Sequence, residues 1–268
     1  MSAIVGIIGY GYVGRATAHM CKSEIVYIND INPSIEDTPI TPMSDLVNNA
    51  NIIFICVPTP MRLDKSCDTS IVDSVINQVR ELKNHANIVV RSTVPIGFCK
   101  SRGVSFFPEF LTERNWLMDV ISCTNWLLGT NDMYIANTIQ RILTRAVEFE
   151  SIHFDNLRVG TPNEIEMVKY VRNAFLATKV AFFNEVEMFC THENLDWDAI
   201  RRMIILDSRI GESHTCVPGH GGTFGFGGTC LPKDTASLMY QMEKCGVEPV
   251  LLRSVMDRNT RIDRNRST

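Results

Sequence analysis

Features that mark several protein classes are missing from this chain of 268 residues. Its nine cysteines include no Cys-x-x-Cys pair, and no run approaches the roughly 18 apolar residues of a membrane helix. The apolar start at residues 3–8 has no basic segment before it, unlike a signal peptide. Lys and Arg number 26 against 30 Asp and Glu, so no basic field exists to hold nucleic acid or an anionic membrane. We therefore expect a cytoplasmic protein with reduced thiols that binds a small molecule.

Short apolar runs alternate with amphipathic stretches in the N-terminal part of the chain. The runs predict strands and the stretches predict helices, which indicates an α/β fold with a Rossmann-like, doubly wound parallel sheet. An amphipathic segment at 133–144 and an apolar run at 146–152 complete this domain near residue 160. The predicted strands are 4–8, 25–28, 52–57, 88–90 and 104–107, and the first predicted helices are 13–21 and 71–82.

A long helix is predicted to begin at Thr161-Pro162-Asn163-Glu164, which combines capping-box spacing with proline at the first helical position. No glycine or proline follows until Gly211. A helix that runs to about Asn194 spans on the order of 50 Å, which suits a subunit interface. We predict two domains, an NAD-binding domain at 1–160 and an all-helical dimerisation domain at 161–268, with further helices at 197–206, 235–245 and 249–264.

A dinucleotide site is predicted at the first strand-to-helix turn. Gly9-Tyr10-Gly11-Tyr12-Val13-Gly14 is a G-x-G-x-x-G sequence in the context where a pyrophosphate lies on a helix N-terminus. Asp30 follows Gly9 by 21 positions, at the end of the second apolar run, where it can accept hydrogen bonds from the adenosine ribose. An acidic residue there favours NAD over NADP. The predicted contacts are Gly9, Gly11, Tyr12, Val13, Gly14 and Asp30.

Polar residues follow the later strands, where open α/β sheets place ligands. Thr59 and Thr93 are candidate cofactor or water contacts, and each also fits an ordinary loop or helix-cap threonine. Glu109 and Glu113 are four apart and share one face if that segment is helical. Lys169 and Asn173 are also four apart, so that both could point at one oxygen, although a solvent-facing pair has the same spacing.

The segment from Gly225 to Asp234 carries the strongest chemical signal. Three glycines are followed within a few residues by a thiol, an amine and a carboxylate, which belong to Cys230, Lys233 and Asp234. Pro232 can begin a helix beside the thiol. A thiol near a helix N-terminus and a lysine is stabilised as the reactive thiolate, which makes Cys230 the candidate nucleophile. The nearby His214, Cys216 and His220 lack a fourth ligand, and we predict no metal site.

With these motifs in order, nearly the whole sequence resembles the UDP-glucose/GDP-mannose dehydrogenase family. The motifs that carry the resemblance are GYGYVG at 9–14, CVPTP at 56–60, STVPIG at 92–97, PEFLTE at 108–113, KYVRNAFLATKVAFFNE at 169–185, RIG at 209–211 and GFGGTCLPKD at 225–234. The last motif is highly specific, whereas the first is generic.

The resemblance implies a four-electron oxidation of a sugar C6 alcohol to a carboxylate with two NAD per turnover. Cys230 would form a thiohemiacetal and then a thioester, while Lys169 and Asn173 would stabilise the developing oxyanion. Asp234 would act in proton transfer or orient a water. Glu109, Glu113 and Thr93 would bind or activate the water that hydrolyses the thioester.

The resemblance also implies binding roles. The remaining cofactor contacts would be Val57, Pro58, Thr59, Thr93 and Lys233. Arg209 would reach the sugar nucleotide of a neighbouring subunit in a homodimer formed by the long helix. The substrate contacts would be Phe110, Leu111, Glu113, Lys169, Asn173, Arg209, Phe226, Gly227 and Gly228.

The length of the chain departs from the family pattern. Typical members continue beyond the segment that matches 256–259 into a second nucleotide-binding domain, and this chain ends at Thr268. A separate chain could supply that domain, or the 209–224 loop could grip the nucleotide. UDP-glucose is the expected substrate. The alternatives are a GDP-mannose 6-dehydrogenase, a two-electron β-hydroxyacid-type dehydrogenase, and a non-catalytic NAD-binding partner of a full-length enzyme.

Overall fold

The computed structural model of the chain describes residues 2–32, 38–219 and 222–266. They form two compact units, the first from Met1–Pro60 and Asp68–Lys169 and the second from Met61–Cys67 and Tyr170–Thr268. The division falls inside the long helix, and a domain boundary at residue 160 remains a prediction. His220, considered above as a metal ligand, lies outside the described residues.

The first unit contains the sheet and the helices that cover it. Its strands are β1 (Ile4–Ile8), β2 (Ile25–Asn29), β3 (Ile52–Ile55), β4 (Ile88–Val90), β5 (Ser105–Phe106), β6 (Trp126–Gly129) and β7 (Leu157–Gly160). Its helices are α1 (Tyr12–Met20), α2 (Met43–Asn49), α3 (Ser70–Leu82), α4 (Phe98–Ser101), α5 (Trp116–Ile121) and α6 (Met133–Glu148).

The seven strands are ordered β2-β1-β3-β4-β5-β6-β7, and only the β5–β6 pair among them is antiparallel. Successive residues of a strand point to opposite faces, and both faces are buried here. Ile52 and Phe54 of β3 pack with residues of α1 and α6, whereas Ile53 and Ile55 pack with α2 and α3. This two-sided burial explains the continuous apolar runs and confirms the predicted Rossmann-like, mostly parallel sheet.

Three parts of this unit differ from the prediction. The amphipathic segment at 133–144 belongs to α6, which continues to Glu148, so that the apolar run at 146–152 is divided between the end of this helix and the turn that follows. The final strand is β7, whose two central residues are exposed, so that no alternating pattern announced it. Helices α2 and α5 and strand β6 were also missed, since each has seven residues or fewer.

The long helix α7 extends over Pro162–His192, which confirms the predicted helix. The capping box forms as predicted: the backbone N–H and the hydroxyl of Thr161 each donate to Glu164 Oε2 at 2.8 Å. The backbone N–H of Glu164 donates back to Thr161 Oγ1 at 3.4 Å. These bonds lower the pKa of Glu164. Pro162 provides the fixed backbone angle that a first helical position prefers.

The second unit is helical apart from a short bridge between Met61 and Cys67. It comprises the larger part of α7 with α8 (Trp197–Ile204), α9 (Cys230–Lys244) and α10 (Val250–Arg261). One apolar cluster joins Ala177 and Ala181 of α7 to Phe226 and Val255, and a second surrounds Phe183 and Trp197. None of the helices among the described residues is both long enough and apolar enough to cross a membrane.

Candidate active site

The G-x-G-x-x-G turn lies where β1 ends and α1 begins. Gly9 has φ +90°, in the region that favours glycine, and a Cβ on it would lie 2.8 Å from the backbone of Cys56. A Cβ on Gly14 would collide with the carbonyl oxygen of Gly9 and lie 3.0 Å from its carbonyl carbon. At Gly11, by contrast, a Cβ would have no described atom within 4 Å. The turn is therefore tight against the protein at two glycines and open at the third.

The surroundings of this turn fit a dinucleotide. Gly11 is the N-cap of α1, and its position shows no side-chain cap hydrogen bond among the described residues. A helix N-terminus carries the positive end of the helix dipole, which favours a phosphate. Asp30 directly follows β2, and its Oδ2 accepts a hydrogen bond from the Tyr10 N–H at 2.6 Å. The carboxylate is thereby held beside the glycine turn, as ribose recognition requires. Tyr12 and Val13 form the first turn of α1.

The strand ends next to this turn hold the other predicted cofactor residues. The order β2-β1-β3 places the reversal of the sheet between β1 and β3, where open α/β sheets bind ligands. Val57, Pro58 and Thr59 follow β3, and Thr59 is buried. The Ser92 hydroxyl donates to the Val57 carbonyl at 2.6 Å, which ties this loop to the one that carries half-buried Thr93.

Glu109 and Lys169 form a buried ion pair in the first unit, with the Lys169 Nζ at 3.0 Å from Glu109 Oε1. The same ammonium donates to the Glu109 carbonyl at 2.6 Å and lies 5.1 Å from the centre of the Phe110 ring. Glu109 Oε2 accepts from the Leu111 N–H at 2.6 Å. Both oxygens of this carboxylate are therefore hydrogen-bonded, and the geometry of the pair is closely defined.

Glu113 does not share a helix face with Glu109. Residues 107–112 are irregular, and Glu113 begins a short 3-10 turn with an exposed side chain, whereas Glu109 is buried. Pro108, followed by the hydrogen bonds of Glu109, holds the chain out of a helix. The segment is not helical, so the condition on which a common face was predicted is not met.

The first turn of α9 contains the motif residues of the second unit. Asp234 is 1% exposed; its Oδ2 accepts from Asn173 Nδ2 at 2.5 Å and its Oδ1 from Lys233 Nζ at 2.6 Å. Burial lowers the pKa of Lys233, but the charge and hydrogen bond of Asp234 outweigh it, with smaller contributions from Cys67 and Cys230, and the pKa is raised. Asn173 and Lys169 thus bond to different carboxylates, although both lie on α7.

Cys230 is the first residue of α9, so the helix begins two residues before Pro232 and five before the predicted Thr235. Its side chain is half-buried. Several other cysteines are fully enclosed: burial raises the pKa of Cys56 to about 11 and also raises the pKa of Cys21 and of Cys99. Cys230 therefore combines a position at a helix N-terminus with partial access to solvent.

The predicted substrate residues have different surroundings. Phe110 and Leu111 are half-buried beside the Glu109 carboxylate, whereas Gly228 is exposed. Phe226 is 3% exposed within an apolar cluster, and both its backbone polar groups bond to Asn259, so it has no polar group left for a sugar. Arg209 is exposed and bonds to Asp207 at 2.6 Å, and this bond raises its pKa.

Four buried polar residues were missed from the sequence. Arg91 stacks 4.7 Å above the Phe107 ring, and its Nε and Nη1 have no hydrogen-bond partner among the described residues. With Glu109 it lines a small pocket of the first unit. Glu166 accepts from the backbone N–H groups of Gly97 and Cys99, and burial raises its pKa. Asn184 and Asn259 hold the glycine segment before Cys230.

In the part of the chain that the structure describes, no group of three or more His, Cys, Asp or Glu side chains could hold a metal ion.

The fold and the glycine turn define a dinucleotide-binding protein of the Rossmann type. Residues 38–147 match the sequence profile of the UDP-glucose/GDP-mannose dehydrogenase family, NAD binding domain, and residues 163–261 match that of the central domain. The chain belongs to this family. The predicted family and the predicted cofactor, NAD, are thereby confirmed.

Individual relatives agree with this assignment. The chain is 33% identical over 231 residues to a UDP-glucose 6-dehydrogenase of Pseudomonas aeruginosa. The matched region covers 80% of this chain and 49% of that protein. It is 29% identical over 269 residues to a UDP-glucose 6-dehydrogenase of Campylobacter jejuni, and that match covers 87% of this chain and 66% of the relative. A solved UDP-glucose dehydrogenase from the archaeon Pyrobaculum islandicum matches with a TM-score of 0.82 and 26% identity, covering 97% of this chain and 68% of that one. The chain thus spans about half to two thirds of the length of its curated relatives.

Proposed function

We propose that this chain carries out the NAD-dependent oxidation of the C6 alcohol of UDP-glucose to the carboxylate. The observation that carries the proposal is the first turn of α9, where half-buried Cys230 precedes the buried pair of Lys233 and Asp234. A dehydrogenase that stops at the aldehyde has no need of a thiol, whereas a thiol that adds to the aldehyde provides a thiohemiacetal from which a second hydride can leave. The UDP-glucose 6-dehydrogenases among the relatives support the substrate.

NAD⁺, held at the glycine turn and Asp30, would supply the hydride acceptor, with one molecule for the oxidation of the alcohol and a second for the oxidation of the thiohemiacetal. In the first oxidation, Lys169 and Asn173 stabilise the negative charge that develops on the sugar oxygen. Cys230 Sγ then bonds to C6 of the aldehyde and remains bonded when the second oxidation produces the thioester. Water releases the acid and restores the thiol. The overall change is alcohol, two NAD⁺ and water to carboxylate, two NADH and three protons.

Hydrolysis of the thioester requires a positioned water. We assign its binding and activation to Glu109, with Glu113 and Thr93, and its orientation to Asp234. The hydrogen bonds that Glu109 and Asp234 already make support this division, since a fixed carboxylate holds its partner in one orientation. Lys233 serves this scheme through Asp234, which differs from the direct phosphate contact that the family resemblance implies.

The test is the number of NADH formed per sugar acid when purified protein is mixed with NAD and UDP-glucose. We expect two. One NADH per oxidised sugar would support the two-electron alternative, and activity on GDP-mannose alone would change the substrate. No NADH with any sugar nucleotide would support the non-catalytic alternative.

A matched pair of variants tests the role of the thiol. Cys230→Ser should lower formation of the acid by at least about 100-fold, because its hydroxyl is a far weaker nucleophile. Cys245→Ser is the control, since Cys245 is an exposed cysteine at the other end of the same helix. Equal activity of both variants would contradict the covalent mechanism.

A further inference from the structure

The segment that precedes Cys230 is held by two buried asparagines of the second unit. The Gly225 N–H donates to Asn184 Oδ1 of α7 at 2.9 Å. The Phe226 N–H donates to Asn259 Oδ1 of α10 at 2.8 Å, and Asn259 Nδ2 donates to the Phe226 carbonyl at 2.9 Å. Asn184 and Asn259 are 1% and 6% exposed, so water cannot readily replace these bonds.

The orientation of each asparagine is itself determined. Asn184 Nδ2 donates to the Val180 carbonyl one turn earlier in α7 at 2.8 Å, which directs its oxygen to Gly225. Asn259 uses its amide nitrogen and its oxygen on the same residue, Phe226, in the manner of a paired β-bridge. An aspartate at 259 could accept the first bond but could not donate the second.

Steric contacts reinforce the hydrogen bonds. Gly225 has φ +69°, and a Cβ there would collide with Asn259 Oδ1 and lie 2.9 Å from Asp263 Cβ. The Phe226 ring fills the apolar cluster with Ala177, Ala181 and Val255. The Gly225–Phe226 segment is thus fixed by the hydrogen bonds of its backbone to the two asparagines and by the burial of the Phe226 ring.

Only three residues separate Phe226 from Cys230. Within this link, the Cβ position of Gly227 lies 3.3 Å from the Arg264 guanidinium, whereas Gly228 is exposed, has φ +72° and would have no described atom within 4 Å of a Cβ. The link is therefore least restrained at Gly228. The placement of Cys230 then depends on the start of α9 and on the anchored Gly225–Phe226 segment. If the anchor is lost, the first turn of α9 is free to fray.

We propose that Asn259, assisted by Asn184, is a positioning residue that holds the Cys230 thiol for reaction. Its value for catalysis rests on the proposed function, but the positioning itself can be measured without any substrate. Neither asparagine contacts the reacting atoms in this scheme. They act by fixing the backbone that leads to the nucleophile.

The experiment measures the alkylation rate of each cysteine by limiting iodoacetamide, followed by peptide mass spectrometry. In Asn259→Ala, alkylation of Cys230 should rise about tenfold, because loss of two buried hydrogen bonds favours local opening. Exposed Cys216 and Cys245 are internal references, and buried Cys190 reports wider unfolding of the unit. Asn184→Ala, which removes one bond, should give a smaller rise.

The control is Asn265→Ala. Asn265 is exposed and follows α10, and among the described hydrogen bonds its side chain donates only to the Thr260 and Arg261 carbonyls. This substitution should leave Cys230 alkylation unchanged. If UDP-glucose is oxidised, kcat should fall in Asn259→Ala while the KM for NAD stays constant. If the unsubstituted protein does not oxidise UDP-glucose and Asn259→Ala still accelerates Cys230 alkylation, the result contradicts the proposed function and leaves the positioning role supported.

Two results would overturn the positioning role. One is an unchanged Cys230 rate in folded Asn259→Ala, and the other is an equal acceleration of Cys190, which would indicate general destabilisation. Hydrogen exchange in the unmodified protein provides a test that needs no variant to fold. We expect slow exchange of the Gly225 and Phe226 amides, and exchange as fast as in an unstructured peptide would contradict the proposal.

Discussion

One buried carboxylate organises the first turn of α9. Asp234 accepts from a neutral amide, Asn173, and from a cation, Lys233, and all three side chains are shielded from solvent to a large extent. Removal of one member of a buried ion pair leaves the other charge unpaired, which costs much more than the pair itself contributes. The Arg209–Asp207 pair has similar distances but is exposed, so its contribution is screened.

We expect Asp234→Asn to lower the free energy of unfolding by about 3 kcal/mol at neutral pH, because the Lys233 ammonium loses its counter-charge. Its effect should also depend on pH. The pKa of Lys233 is raised in the folded protein, so the stabilisation is complete below the ordinary lysine value of 10.5 and declines as the pH rises through the folded value. Urea denaturation at pH 7 to 11 measures both effects.

Asp207→Asn provides the control for this comparison. We expect no measurable change in the urea midpoint, since both partners are exposed. Equal effects of the two substitutions would show that burial does not set the strength of the Lys233–Asp234 pair.

The β1–α1 turn shows how one element divides its glycines between folding and binding. Gly14 lets the first turn of α1 approach the Gly9 carbonyl, whereas Gly11 faces open space. The same residue type is therefore needed for two physical reasons. Sequence spacing predicted the turn, but only the contacts at each Cβ position separate the two roles.

Gly14→Ala should lower both stability and NAD affinity, with a stability loss of about 1–3 kcal/mol from the forced shift of the backbone. Gly11→Ala should leave the melting temperature unchanged and weaken NAD binding by at least about tenfold, because its methyl group occupies the space of the pyrophosphate. Calorimetric titration with NAD and thermal unfolding distinguish the variants. Unchanged NAD affinity in Gly11→Ala would remove the pyrophosphate from this turn.

Short elements account for most of what the sequence did not predict at this scale. Helix α2 and strands β6 and β7 bury few residues each, and β7 has exposed central positions. Their formation depends on neighbours: β7 pairs with β6 over four residues, from Trp126 with Leu157 to Gly129 with Gly160. Periodicity within one short segment carries too little information to reveal such pairing.

For the whole molecule, the exposed face of α7 is the main unexplained surface. Phe175, Phe182 and Phe189 are seven residues apart and 64%, 60% and 64% exposed. A seven-residue apolar repeat forms one stripe along a helix, the pattern that pairs helices. The exposure of three phenylalanines in register supports the predicted homodimer through the long helix.

We expect Phe182→Asp to convert a dimer into a monomer, because a desolvated carboxylate would lie at the centre of this stripe. Sedimentation velocity measures the mass directly. Leu206→Asp, at a residue that is 82% exposed and lies outside α7, should leave the mass unchanged. A monomeric unmodified protein, or a dimer that survives Phe182→Asp, would exclude this interface.

Local sequence determined the parts of this protein that depend on neighbouring residues: the glycine turn with Asp30, the capping box that starts α7, the apolar strands of the sheet and the cysteine motif. Those features arise from backbone geometry and short-range hydrogen bonds, which a few adjacent residues specify. The tertiary structure alone decided which distant polar groups meet. It paired Glu109 with Lys169, joined Asn173 to Asp234, separated Glu113 from Glu109, and brought Asn184 and Asn259 to the segment before Cys230. A buried polar group must find a partner, and the whole fold, not its own position in the chain, determines which one is within reach.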